Sequence, residues 1–270
     1  MSQGWKEGEI AFGDLTVHYT RTGGNKPVLV LAHGVTDNGM CWLPVAQELS
    51  SQFDVILPDA RAHGRSSRAK PGQEFDLPAD LEGFIQAMGL QKPLVGGHSM
   101  GAATAAQLGA RFPEAARAMF LEDPPWMASD VSLADPGLDW LLLLKDLPQE
   151  EIIAVCRQKY PNWPEVELQP WAESKQQVDW NALAMATKSA AARSLYANWR
   201  TTARAIRVPT LVLIADTTRG ALMTREVAEE VCSLNPLMRS VYIPEAGHSI
   251  RRENFADYVK AVRSFLDKAS

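Results

Sequence analysis

Cysteine, histidine and long apolar runs are scarce in this chain, and each scarcity excludes something. The three cysteines, Cys41, Cys156 and Cys232, are odd in number and widely scattered. They suit neither a disulfide framework nor a metal site, and point to a reducing, cytoplasmic setting. No stretch approaches the roughly eighteen consecutive apolar residues that a membrane-crossing helix requires. The opening residues, Met1 to Glu7, lack the apolar core of a secretory signal. Internal repeats and low-complexity tails are absent from the sequence. Positive charge is also in deficit, with 27 Lys and Arg against 32 Asp and Glu for a net charge of −5. That balance argues against nucleic acid or an anionic membrane surface as a main partner.

What is present is a chain of 270 residues, 46% of them hydrophobic, long enough to bury a large core. Glu9–Phe12 and Thr16–Thr20 read as an opening hairpin turned at Gly13-Asp14. Short apolar runs follow at Val28–Ala32, Val55–Leu57, Leu94–Val95, Met119–Leu121, Thr210–Ile214 and Ser240–Ile243. Helical stretches are predicted between them at Leu43–Leu49, Leu77–Met88, Ala102–Phe112, Thr224–Cys232 and Asn254–Leu266. Continuous apolar runs suit strands covered by helices on both faces. The pattern therefore predicts an α/β fold, a doubly wound and mostly parallel eight-stranded sheet.

From Trp126 to Ala205 the alternation stops, and six of the eight tryptophans lie there. This stretch reads as helices, a cap of residues 126–205 inserted after the sixth strand, with residues 1–125 and 206–270 forming the core domain. Such an insertion cannot extend the sheet and is expected over the carboxyl ends of the strands, where ligands bind. Some of its tryptophans must hold the cap to the core, while a few are expected to line an apolar or aromatic pocket.

The segment Gly97-His98-Ser99-Met100-Gly101 carries the most information. Gly-x-Ser-x-Gly arises by chance on the order of once in ten chains of this length. Here, however, it joins the apolar run ending at Gly96 to the alanine-rich helix from Ala102. A strand turning abruptly into a helix through this pattern forces the serine into a strained conformation with its hydroxyl clear of the sheet. A serine needs a base, and only five histidines are available. His18 lies in the hairpin, while His33 and His63 sit in glycine loops. His98 neighbours the nucleophile on a sharp turn and is predicted to face elsewhere. His248, after the last strand in Ala246-Gly247-His248, lies on a loop able to return to Ser99.

Together with His33-Gly34-Val35 and Asp59-Ala60-Arg61-Ala62-His63-Gly64-Arg65-Ser66, these pieces make the chain resemble the α/β-hydrolase superfamily over nearly its full length. The resemblance implies an oxyanion hole formed by the backbone N–H groups of Val35 and Met100. It also implies acyl transfer through an acyl-enzyme, with no metal or organic cofactor called for. Most relatives place the triad acid after the seventh strand, where this chain has Thr218 at the aligned position. Asp216 stands two residues away. Some superfamily members, certain haloalkane dehalogenases among them, carry the acid at the end of the sixth strand, here Glu122-Asp123. Successive strand residues point to opposite faces, so only one of that pair can reach His248. Asp123 is the first choice, with Asp216 and Glu122 as alternatives.

The expected activity is hydrolysis of small to medium apolar or aromatic esters or lactones. The alternatives are a carbon–carbon bond hydrolase of ring-cleavage products and a non-hydrolytic ligand receptor. A serine at position 99, where epoxide- and halide-processing relatives carry a carboxylate, disfavours those two chemistries. His33, Gly34, Trp42 and Trp126 are the expected pocket residues, a small molecule the expected partner, and a monomer or homodimer the expected assembly.

Overall fold

Side-chain alternation along short apolar strands decides the architecture. The computed structural model describes residues 4–70, 73–127, 139–186 and 198–269. It forms eight strands: β1 (Lys6–Phe12), β2 (Leu15–Arg21), β3 (Val28–Ala32), β4 (Asp54–Pro58), β5 (Leu94–His98), β6 (Ala118–Glu122), β7 (Thr210–Ile214) and β8 (Met238–Tyr242). They make one sheet in the order β1-β2-β4-β3-β5-β6-β7-β8. β2 pairs antiparallel with β1 and β4, and every other pair is parallel.

Odd and even positions of the central strands feed two separate cores. Val30, Ile56, Val95, Leu121 and Val212 pack on one face with α2 (Leu77–Ala87), α3 (Met100–Arg111), α8 (Trp199–Ala205) and α9 (Arg225–Leu234). Leu29, Leu31, Val55, Leu94, Phe120 and Leu213 pack on the other with α1 (Leu43–Leu49) and α11 (Phe255–Ala269). A strand buried on both faces has no reason to alternate polar and apolar residues, which explains the continuous runs. β5 extends three residues beyond the predicted Val95, through Gly96 and Gly97 to His98. The Phe120 ring fills the space beside Gly96, where a Cβ would lie 2.1 Å from it.

The segment after β6 includes α4 (Asp139–Leu142), α5 (Gln149–Lys159), α6 (Glu165–Gln177) and α7 (Trp180–Ala186). Leu141, Ile152, Cys156, Trp163, Leu168 and Trp171 give it a small core of its own. Trp126 and Trp199 behave differently. Their rings stack at 5.8 Å and 13°, and both join the core cluster on the α3 face of the sheet. Among the described residues no helix is long and apolar enough to cross a membrane.

Candidate active site

The sheet order reverses between β3 and β5, and open α/β sheets bind ligands just beyond the strand ends at such a point. Ser99 stands there, between the end of β5 and the first turn of α3, with φ +52° and ψ −114°. Close packing imposes this turn. A Cβ at Gly97 would meet the Gly101 carbonyl oxygen at 2.2 Å, and one at Gly101 would meet the Ala32 carbonyl oxygen at 2.1 Å. Val35, on the loop after β3, packs against Met100. The N–H groups of Val35 and Met100 have no hydrogen-bond partner among the described residues. Both N–H groups therefore remain available to an acceptor near Ser99.

His248 comes from the loop after β8 and is about a third exposed, with its Nδ1 2.6 Å from Asp123 Oδ2. Asp123 is fully buried and sits at φ +42°, where the chain leaves β6. Its carboxylate also accepts the backbone N–H groups of Leu222 and Met223, at 2.9 and 3.0 Å. Glu122 points the other way, accepting Arg251 N–H at 3.0 Å and Arg251 Nη1 at 3.2 Å. Asp216 stays local. Its Oδ1 accepts the N–H and hydroxyl of Thr218, at 2.8 and 2.7 Å.

Residues 27–253 match the family model of the alpha/beta hydrolase fold. The chain belongs to the α/β-hydrolase family. It is similar to 2-(acetamidomethylene)succinate hydrolase of Mesorhizobium japonicum, at 26% identity over 96% of this chain and 94% of the relative. It is also similar to N-formylmaleamate deformylase of Pseudomonas putida, at 26% identity over 96% of each chain. The crystal structure of an E-2-(acetamidomethylene)succinate hydrolase superposes with a TM-score of 0.82 at 22% identity, covering 97% of this chain and 99% of that one. That last likeness speaks for the fold.

In this hydrolase the His98 ring faces the loop after β8. Its Nε2–H donates to the His248 carbonyl at 3.0 Å, and the two rings lie 4.7 Å apart. The loop after β8 folds back across the β5 end and covers the ring. Burial first, then Arg251 and His248, hold the His98 pKa well below its ordinary value, so the ring is neutral.

The four expected pocket residues all have structural work. His33 donates from Nδ1 to the Gly34 carbonyl and accepts the Ala60 N–H at Nε2, tying the loops after β3 and β4 together. Gly34 lies against His98, whose Nδ1 would be 2.7 Å from a Cβ there. Trp42 is a correction to the sequence reading. It is wholly buried on the α11 side of the sheet, edge-on to Phe120 and beneath the Arg251 guanidinium. Trp126, at 1% exposure and stacked on Trp199, is likewise core and not pocket wall. In both cases a large ring gains more from full burial than from a partly wet cleft.

The sequence reading passed over a buried cluster of charges beside the site. Asp37 Oδ2 accepts Arg252 Nη2 at 3.1 Å and Arg251 Nη2 at 3.4 Å, and its Oδ1 accepts Lys175 Nζ at 3.1 Å. Glu167 Oε2 accepts Arg252 Nε at 3.0 Å. Burial pushes the Asp37 carboxyl upward, but Arg252, Lys175 and Arg251 outweigh it and hold the group well below the usual range. For Glu122 burial prevails over Arg251, and its pKa is raised. Charges this deep persist because each has partners.

Proposed function

We propose that this hydrolase transfers an acyl group from a small carbonyl substrate to Ser99 and then to water. The 2.6 Å contact of His248 Nδ1 with the buried Asp123, beside a serine held at φ +52°, carries the reading. Ser99 Oγ attacks the carbonyl carbon, and its proton passes to His248 Nε2. Asp123 holds Nδ1–H and stabilises the imidazolium. The Val35 and Met100 N–H groups bind the oxygen of the tetrahedral intermediate. His248 then protonates the leaving group, deprotonates a water and returns the proton to Ser99 as the acid departs. Glu122 and Asp216, committed to Arg251 and Thr218, take no part. The intact constellation also speaks against a non-hydrolytic receptor.

An ester or lactone is the substrate class that the residues alone favour. The relatives' names extend it. Acetamidomethylene and N-formyl both describe N-acyl groups on a dicarboxylic acid skeleton, and neither name describes a plain ester. They move weight from plain esters to the alternatives that share this machinery, an N-acyl substrate or carbon–carbon cleavage. In this reading Trp126 and α8 belong with the core and not with the cap, because both pack there, and α4 to α7 are the cap's described helices.

The test is a substrate panel run on wild type and Ser99→Ala in parallel. It spans nitrophenyl esters, an N-formyl and an N-acetyl dicarboxylate, and a vinylogous diketone. We expect at least one carbonyl class to turn over, with kcat/KM in the variant reduced by more than about a thousandfold. A variant retaining more than about a thousandth of wild-type kcat/KM would refute the assignment of Ser99. The class that turns over separates the ester, N-acyl and carbon–carbon readings.

A further inference from the structure

Lys175 lies in the middle of the insert, on α6, and is completely buried. Its Nζ donates to the Thr36 carbonyl at 2.8 Å, to Thr36 Oγ1 at 3.0 Å and to Asp37 Oδ1 at 3.1 Å, with Ser174 Oγ also at 3.1 Å. Its two shortest contacts are therefore to one residue, 139 positions away in the chain. That residue sits next to Val35, whose N–H, like that of Met100, has no hydrogen-bond partner among the described residues.

Thr36 is in an unusual conformation. Asp37 N–H donates to the Gly34 carbonyl at 3.1 Å, closing a four-residue turn over Gly34-Val35-Thr36-Asp37. Thr36 has φ +66°, whereas Val35 is not among the left-handed residues. This is the type II pattern, whose third position belongs by preference to glycine or asparagine. A β-branched residue there is strained, and such strain persists only where the surroundings impose it. The ammonium of Lys175, which binds both the carbonyl and the hydroxyl of Thr36, supplies that constraint. Asp37 has two further cationic partners, because Arg251 and Arg252 also face its carboxylate.

We propose that Lys175 is a positioning residue, through which the cap helix locks the Gly34–Asp37 turn in the strained form that presents the Val35 N–H to the oxyanion. The inference rests on the serine-hydrolase reading above. It makes the cap part of the oxyanion hole as well as a cover, since the turn is not fully held without α6.

The experiment follows Ser99 labelling by a fluorophosphonate, whose phosphoryl oxygen enters the same hole and which requires no knowledge of the natural substrate. Full-length wild type, Lys175→Met and Lys175→Met/Thr36→Gly are compared, with melting temperature measured alongside. Labelling of Lys175→Met should slow by about 10–100-fold, up to the worth of one oxyanion donor. Adding Thr36→Gly should restore most of the rate, because glycine takes positive φ without strain, although it restores neither the ion pair nor stability. A merely structural lysine would lower the melting temperature and show no such rescue.

A Lys175→Met rate within about threefold of wild type overturns the proposal, given that a lost donor costs far more. So does a folded double variant no faster than the single one. If Lys175→Met does not fold, Thr36→Val removes one of the two contacts at constant shape. It should then slow labelling several-fold, and an unchanged rate counts against the proposal. Wild type left unlabelled at Ser99 overturns the serine reading and this inference with it. Labelled wild type beside unaffected Lys175 and Thr36 variants overturns this inference alone.

Discussion

Asp123 and Asp216 follow neighbouring strands of one sheet, yet the structure treats them in opposite ways. Asp123 is fully buried at positive φ, and its carboxylate gathers two backbone N–H groups and the His248 ring. Asp216 is a local cap whose carboxylate accepts the N–H and hydroxyl of Thr218 two residues on, and the same contacts lower its pKa. Burial without donors would neutralise a carboxyl group, and donors without burial would leave it competing with water. Asp123 has both, so its carboxylate is fixed in place and aimed at the ring. The lesson is that the environment at a strand end, more than the residue type, selects which acid meets the histidine.

Exchanging each carboxylate for an amide is the strongest way to break that comparison. Asp123→Asn should cut kcat/KM by about 10⁴-fold with the fold retained, since an amide cannot hold Nδ1–H and both backbone donors together. Asp216→Asn should leave activity within about threefold, a surface change away from the site. Kinetics and melting curves on both variants decide it, and the reverse order would move the acid to the end of β7.

Glu122 sharpens the comparison from one residue upstream. Glu122→Gln should act on stability and not on the chemical step, because it removes a buried partner of Arg251. A loss of about 3 kcal/mol or more is expected in denaturant unfolding. Residual activity per folded molecule should stay near wild type. A large kcat defect in a stable variant would draw Glu122 into the mechanism.

A further effect is set by pH. Burial lowers the pKa of His33 and His98, and takes His63 from 6.5 to about 3. All three hold a proton less readily in the folded protein than in the unfolded chain, which protonates them near pH 6.5. The unfolded state therefore binds more protons as pH falls below that value, and stability falls with it. Each histidine contributes a slope of about 1.4 kcal/mol per pH unit at most. Unfolding free energies at pH 7.5, 6 and 5 should decline in that order, and a flat profile would contradict the lowered pKa values.

Several features were legible because they are local. The Gly-x-Ser-x-Gly turn, the eight short strands and the alternating helices each follow from spacing and composition within about ten residues. The end of β5 is not legible because its last residues before His98 are glycines, packed against Phe120 of the next strand at Gly96 and against the Gly101 backbone at Gly97. Trp42 and Trp126 were expected to line the pocket because they fall near the motifs, but proximity in sequence says nothing about which face of the sheet a ring enters. The charge cluster left no signal at all. Arg252 meets Glu167 across 85 positions and Asp37 across 215, and no local pattern announces such pairs.

By itself the sequence determined the fold class, the strained serine turn, and the narrow choice of His248 among five histidines. The resemblance to the superfamily narrowed the acid to Asp123, Asp216 or Glu122. Only the tertiary structure set Asp123 against the His248 ring, turned His98 onto His248, and brought Lys175 from the insert to Thr36. The division has a physical cause. Backbone conformation and burial periodicity act over a few residues, whereas the partners that keep a buried charge ionised must be assembled from distant segments.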